Sequence, residues 1–370
     1  MKNLYHGALD SKIIWTPASN GGTYTLHRIP GIVVTKKDTV IIYCEARDTT
    51  DSVGSAGNHG DWCRMDIFIQ RSEDGGDTFG EPIYISRGRC AEDGNEKNIT
   101  INNPVMIVGN DNILHLLYCR DYCINGGGLW YTRSIDDGRT WSTSREVTSY
   151  AKEGIGYDFN CFAFGPTHGI CTSKGILMTA IWAVPVAEGR DASAHGPSHT
   201  HVFYSTDNGE TWNITKKIGK NENETAIAEL SDGSIMINSR MGGGRRGINV
   251  CRDFTVDSEP VWWGTAFPDE LVDPGCCGGM LSVDIDGLPR ALVTVNCDDP
   301  KIRRYVTVKC SFDDGRTYSK KLKLTENYGG YCDIAVDSNG RMYVIWETAF
   351  GVIVSLSRFS FADEFCIGKK

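Results

Sequence analysis

The residues best equipped for chemistry in this chain are arginines standing where apolar, strand-like runs begin or end. His27-Arg28-Ile29-Pro30 opens one run, Glu45-Ala46-Arg47-Asp48 closes the next, Ser239-Arg240 closes another, and Arg303-Arg304 opens a further one. A guanidinium is a planar fork of donors that suits bidentate contact with a carboxylate. Where a radial β architecture crowds strand ends at a central mouth, such forks converge and repel one another unless an anion sits among them. Taken alone, the same segments also read as unrelated surface arginines beside acidic neighbours.

Two further clusters invite a chemical reading. His195, His199 and His201 include a His-x-His that a strand would present on one face, a spacing able to bind a metal. No acidic or thiol ligand stands near them in sequence, so a surface loop leading into a strand is the favoured reading and no metal is expected. Gly242 to Arg246 is glycine-rich and basic, but it has neither the strand-to-helix context nor the lysine of a phosphate loop. A hairpin near the mouth is expected there.

The elements that must position these residues announce themselves by repetition. Ser72 to Phe79, Ser134 to Trp141, Ser205 to Trp212 and Ser311 to Tyr318 share the pattern Ser-x-Asp-x-Gly-x-Thr-aromatic. The Asp can accept hydrogen bonds from backbone N–H groups just after it, and the Gly can take the positive φ of a tight turn. The aromatic residue can tuck beneath as an apolar plug. Runs such as His201-Val202-Phe203-Tyr204 precede each box, so each reads as the turn of a β-hairpin. The acidic residues also resemble a calcium loop, but the ligand set is too short and lacks a closing bidentate Glu. The boxes stand further apart than one blade of four short strands. Intervening blades without a box are therefore expected, one carrying the degenerate Cys251-Arg252-Asp253-Phe254.

Strand signals run from end to end with Asx-Gly turns between them, and no stretch has a long helical period or a linker composition. One all-β domain over residues 1–370 is expected, closed by pairing Val352 to Phe359 with Lys12 to Trp15. Long loops are expected over Asp48 to Gly60 and Ala187 to His199. A net charge of −9 argues against nucleic acid as a partner. No apolar run reaches membrane-spanning length, and Met1 to His6 has no signal-peptide core. A cytoplasmic protein is expected, or a secreted one if a leader has been removed. Most of the 14 cysteines lie in strand-like runs, where free buried thiols are favoured over disulfides.

The Arg-Ile-Pro motif, the boxes and the late Gly330-Tyr331-Cys332-Asp333, in that order, resemble the bacterial and animal-type sialidases (exo-α-neuraminidases) with Asp boxes. The resemblance covers the chain from Arg28 to Glu347 and implies a six-bladed β-propeller. It implies that Arg28, Arg240 and Arg303 grip a substrate carboxylate, with Arg304 a live alternative to Arg303. It further implies that Glu347 holds the first arginine, that Tyr331 is the nucleophile with Glu224 as its base, and that Asp61 is the acid/base. Arg47 resembles an arginine beside the sugar's O4. Asn103 stands where several relatives have Asp, which leaves recognition of the sugar's substituents open, and His27 replaces an aromatic residue. Tyr122, Trp130 and Phe162 are candidates for an N-acyl pocket.

These roles are chemically coherent. Sialic acid bears a carboxylate on its anomeric carbon, which would repel a carboxylate nucleophile, whereas a neutral phenol meets no such charge. A phenol needs a neighbouring base to become nucleophilic. The implied activity is retaining hydrolysis of terminal α-sialic acids on oligosaccharides, glycoproteins or glycolipids, without cofactor or metal. Transfer to another sugar, release of an anhydro-sugar, and a non-catalytic glycan-binding propeller are the alternatives. Oligomeric state and linkage preference are not legible.

Overall fold

A computed structural model of the chain describes residues 4–52, 60–88, 99–123, 127–186, 197–266, 268–348 and 351–366. The runs of β-branched and aromatic residues form six antiparallel sheets. Blade I comprises Leu26–Val34, Val40–Ser52, Cys63–Ser72 and Ile83–Ser86. Blade II comprises Ile101–Val108, Leu114–Arg120, Gly128–Ser134 and Arg145–Glu146. Blade III is built on Phe159–Phe164, Leu177–Pro185, His199–Ser205 and Asn213–Ile214, with two short added strands. Blade IV comprises Thr225–Glu229, Ile235–Ser239, Gly247–Cys251 and Trp263–Ala266. Blade V comprises Gly279–Val283, Ala291–Cys297, Val306–Ser311 and Lys320–Lys323. Blade VI takes Cys332–Val336, Arg341–Thr348 and Ile353–Ser360, and borrows Asp10–Trp15 as its outer strand.

Each blade packs on the next, and blade VI returns to blade I, closing a six-bladed β-propeller. The closing register sets Lys12 opposite Leu356, the pairing the two terminal runs led us to expect. Second strands are covered on both faces by neighbouring blades, which is why Leu177–Pro185 is apolar without alternation and buried at every position. Ile42 and Phe68 of blade I share one core with Tyr343 and Leu356 of blade VI. The one α-helix among the described residues, Thr148–Ile155, lies between blades II and III and ends at Gly156 with φ 82°.

The four boxes join third to fourth strands in blades I, II, III and V. In the first, the Ser72 hydroxyl donates to Asp74 at 2.7 Å, the Gly76 N–H to Ser72 Oγ at 2.8 Å, and the Thr78 hydroxyl to Asp74 at 2.6 Å. The other three repeat these bonds. Trp212 and Tyr318 are buried, while Phe79 and Trp141 are half-buried. Blade IV lacks a box, and Cys251 to Phe254 opens its outer turn with Phe254 as the buried plug. Blade VI needs none, because its outer strand comes from the other end of the chain.

Register fixes which end of the blades carries chemistry. In blade I, Leu26 pairs with Arg47 and Val34 with Val40, while Val40 pairs in turn with Ser72. Arg28 and Arg47 therefore stand at the end of the blade opposite its box.

Candidate active site

Tyr331 directly precedes the inner strand of blade VI, and Glu224 directly precedes that of blade IV. Arg240 follows the second strand of blade IV, where its backbone N–H bonds the Glu224 carbonyl at 2.7 Å and sets the two side by side. The Tyr331 hydroxyl donates to Glu224 Oε1. Arg240 Nη1 donates to Glu224 Oε2 at 2.6 Å and to the Tyr331 oxygen at 2.9 Å. Burial, then the Glu224 carboxylate, push the Tyr331 phenol well above the ordinary 10.0, against the pull of Arg240 and Arg303. The phenol thus rests neutral, with its proton aimed at a carboxylate.

Arg28 and Arg303 approach the same ring, their guanidinium carbons 5.2 and 5.5 Å from its centroid. Three arginines from blades I, IV and V therefore meet around Tyr331. Arg28 gets there through a bulge: the register slips between Arg28 and Gly31, and Ile29 adopts φ +54°. A β-branched residue in the left-handed region is strained, and bulges of this kind re-aim a side chain. Glu347 holds the strained turn in place. It accepts the Arg28 Nε–H at 2.6 Å, the Ile29 N–H at 2.9 Å and the Tyr331 N–H at 3.2 Å. Gly351, at φ +84°, lies against Arg28 so closely that a Cβ there would occupy the arginine's space.

Arg303 and Arg304 differ in direction. Arg303 faces Tyr331, while Arg304 pairs outward with Asp299 at 2.7 Å.

Arg47 and Asp61 form a second group beside the first. Arg47 Nη1 donates to Asp61 Oδ1 at 2.6 Å, and its Nε donates to Glu45 Oε2 at 2.9 Å. Arg47 is 1% exposed and Asp61 37%, so the aspartate keeps an open side. Asn103 is buried, with its side-chain amide donating to the Phe164 carbonyl at 2.7 Å. Tyr122, buried within reach of the Asp61 and Arg47 charges, packs at a tilt against Trp62, with ring centroids 5.1 Å apart. Phe162 instead lies in the core and Trp130 under Arg120, so neither joins this group.

A cleft of about 350 Å³ opens beside Glu224 and Arg240, walled by Ser198, Asn223, Met241 and Pro274. The hairpin reading of the glycine-rich segment agrees with Gly242 lining this cleft. Its last residue, Arg246, turns inward to Asn238 and the Cys276 carbonyl. Among the described residues the histidines form no group of three or more possible metal ligands. His201 is buried, with Nδ1 against the Thr215 carbonyl at 3.0 Å and Nε2 against the Tyr157 hydroxyl at 2.7 Å. His195 lies outside the described residues. Twelve of the 14 cysteines are free thiols.

A family model, the BNR repeat-like domain, matches residues 56–344. The chain belongs to that family. This BNR-repeat chain is 25% identical over 363 residues to an exo-alpha-sialidase of Arthroderma benhamiae, covering 89% of this chain and 80% of that protein. It is 23% identical over 347 residues to a sialidase of Bacteroides fragilis, covering 87% of this chain but only 60% of that protein's length. Its fold matches the solved Hadza microbial sialidase Hz136 with a TM-score of 0.78 at 23% identity, over 92% of this chain and 67% of that one. These matches agree with the resemblance carried by Arg-Ile-Pro, the boxes and Tyr331.

One residue of this BNR-repeat chain that touches the expected set was passed over in its sequence. Glu45 is fully buried between Arg47 and the Asn103 N–H. The signal was its i, i+2 spacing from Arg47, which puts both on one face of a strand.

Proposed function

We propose that this protein is a retaining exo-α-sialidase, with the propeller as its one catalytic domain. It releases terminal sialic acids from oligosaccharides, glycoproteins or glycolipids. Arg28, Arg240 and Arg303 clamp the substrate carboxylate and so fix the ring over Tyr331. The Tyr331 oxygen attacks the anomeric carbon as its proton passes to Glu224. The glycosidic C–O bond breaks while Asp61 gives its proton to the leaving oxygen. Asp61 then takes a proton from water, which attacks the anomeric carbon. The bond to Tyr331 breaks, and Glu224 returns the proton to the phenol. Two displacements on one carbon restore the starting configuration. Protons and electron pairs balance among side chains and water, so the scheme calls on no cofactor.

The observation that carries this reading is the meeting of a phenol, a carboxylate and three guanidiniums at one point. The Tyr331 hydroxyl donates to Glu224, Arg240 touches both, and Arg28 and Arg303 flank the ring. A glycan-binding propeller needs an anion clamp but has no use for a phenol with a dedicated proton acceptor. The test is fluorophore release from an aryl α-sialoside by the wild type and by Tyr331→Phe. Equal rates would remove Tyr331 as nucleophile, and no release by the wild type would leave a binding module. NMR of the first product distinguishes α-sialic acid from its β-anomer, a transfer product or an anhydro-sugar.

A further inference from the structure

Glu347 and Glu45 occupy equivalent places one blade apart. Each lies on a second strand, each is fully buried, and each reaches into the next blade around the ring. Glu347 of blade VI accepts the N–H of Ile29 in blade I, and Glu45 of blade I accepts the N–H of Asn103 in blade II at 2.6 Å. Both receiving residues precede a proline, both have positive φ (+54° and +47°), and both sit in a register slip of the inner strand. Residues before proline strongly favour extended backbone, so neither conformation is a local preference. In both places one carboxylate holds a strained backbone turn and an arginine together.

The arginines differ in what they serve. Glu347 takes Arg28 through Nε, beside the Tyr331 ring. Glu45 takes Arg47 through Nε and Nη2, both on Oε2, and leaves Nη1 to meet Asp61. With Arg47 buried, the direction of its remaining N–H is set by where Glu45 grips the other edge of the fork. Resting on the sialidase reading above, we propose that Glu45 is a positioning residue for acid catalysis. It fixes Arg47, and through it Asp61, at the depth and angle at which the carboxyl meets the leaving oxygen, and it locks Asn103 of the next blade into the same unit. Glu347 does the corresponding work for the carboxylate clamp.

This assignment separates two substrates. A sialoside with an alkoxide leaving group needs Asp61 to protonate the departing oxygen, whereas one with an activated phenol departs without that help. Glu45→Gln keeps the side chain's shape and removes the charge that grips Arg47. It is expected to lower kcat/KM on a sialyl-galactoside by about 100-fold, the scale of a misplaced catalytic group, and on the activated aryl sialoside by less than about 10-fold. Glu347→Gln, acting on the clamp both substrates use, is expected to lower the two alike. If Glu45→Gln does not yield folded protein, Glu45→Asp carries the same comparison, with its charge drawn back by one methylene. Equal losses on the two substrates in the Glu45 variant would overturn the assignment while leaving the sialidase reading intact. A wild type inactive on both would overturn that reading and the assignment with it.

Discussion

At one end of the blades the same turn returns in blades I, II, III and V, and at the other each candidate site residue appears once. The box turn's inner hydrogen bonds run within itself, Ser to Asp, Gly to Ser and Thr to Asp, while a neighbouring blade adds contacts at its rim, as Arg341 and Arg358 of blade VI do at the Gly75 carbonyl. Contacts at the opposite end cross the ring. Tyr331 of blade VI reaches Glu224 of blade IV, Arg28 of blade I reaches Glu347 of blade VI, and Asn103 of blade II reaches Glu45 of blade I. Repetition marks what each blade requires for its own folding. Singularity marks what only the closed ring can assemble, and the bulges at Ile29 and Asn103 are confined to that end.

Substitutions should therefore divide cleanly, those at the singular end removing activity and those at the boxes removing stability. The largest effect is expected from Tyr331→Phe. Its kcat/KM on an aryl sialoside should fall by at least about 1,000-fold, while the thermal unfolding midpoint stays near the wild-type value. A steep loss of stability with activity preserved in the surviving fold would break the division at its strongest point.

The adjacent arginines of blade V sharpen it. Arg303→Ala removes a guanidinium that faces the Tyr331 ring, and it should raise KM and cut kcat/KM by about 30-fold or more, as truncating a buried charged partner does. Arg304→Ala removes a half-exposed pair with Asp299. Surface pairs of this kind add little, so its kinetics should stay within about twofold of wild type. Steady-state kinetics on the two variants decide it, and a reversed order would move Arg304 into the clamp.

The division also accounts for what the sequence made legible. Boxes and strand runs are local patterns, and the closing strand pair follows from the need of a ring to close, so the propeller could be read directly. Arg28 and Arg240 could be singled out because each stands near the end of a strand-like run, whereas Tyr331 and Glu224 entered only as what the resemblance to the sialidases implies. Arg303 and Arg304 were left open because the direction of a side chain beside a strand depends on register. Glu45 was missed because its partner Asn103 belongs to another blade, and no spacing along the chain encodes that contact. Ile29 and Asn103 run against the extended backbone that a following proline favours, so their positive φ could not have been anticipated locally. The partners of His201 were not legible either, because Tyr157 and the Thr215 carbonyl, which take its two ring nitrogens, are remote from it in sequence.

At the boxed end the expected effects are smaller and of the other kind. Asp136 accepts the Ser134 hydroxyl at 2.8 Å, the Thr140 N–H at 2.8 Å and the Thr140 hydroxyl at 2.6 Å. Asp136→Ala leaves those donors to water or to nothing, at a cost of about 1–3 kcal/mol. A denaturation midpoint lowered accordingly, with kcat/KM unchanged, is the expected result. Loss of activity in the folded variant would show the boxed end reaching through to the other.

The finest test is acidification. Asp74, Asp136, Asp207 and Asp313 are all held below the ordinary aspartate value. For Asp74 the Thr78 hydroxyl is the foremost cause, followed by the Thr78 N–H and the Ser72 hydroxyl. For Asp136 the cost of burial is outweighed by Thr140 and Ser134, which bring it from 3.8 to about 2. A carboxyl whose value is depressed by folding adds stability that is complete above its unfolded value and drains away as pH falls through the folded one. The boxes should therefore weaken together below about pH 4, each by a little because each is exposed to solvent. Asp136→Asn cannot titrate, so its unfolding midpoint, lower at neutral pH, should fall less steeply than the wild type's between about pH 5 and pH 3. Parallel curves in calorimetry would mean that the acid sensitivity of the fold resides elsewhere, and the turns would then be held by their glycines and aromatic plugs rather than by the charge on their aspartates.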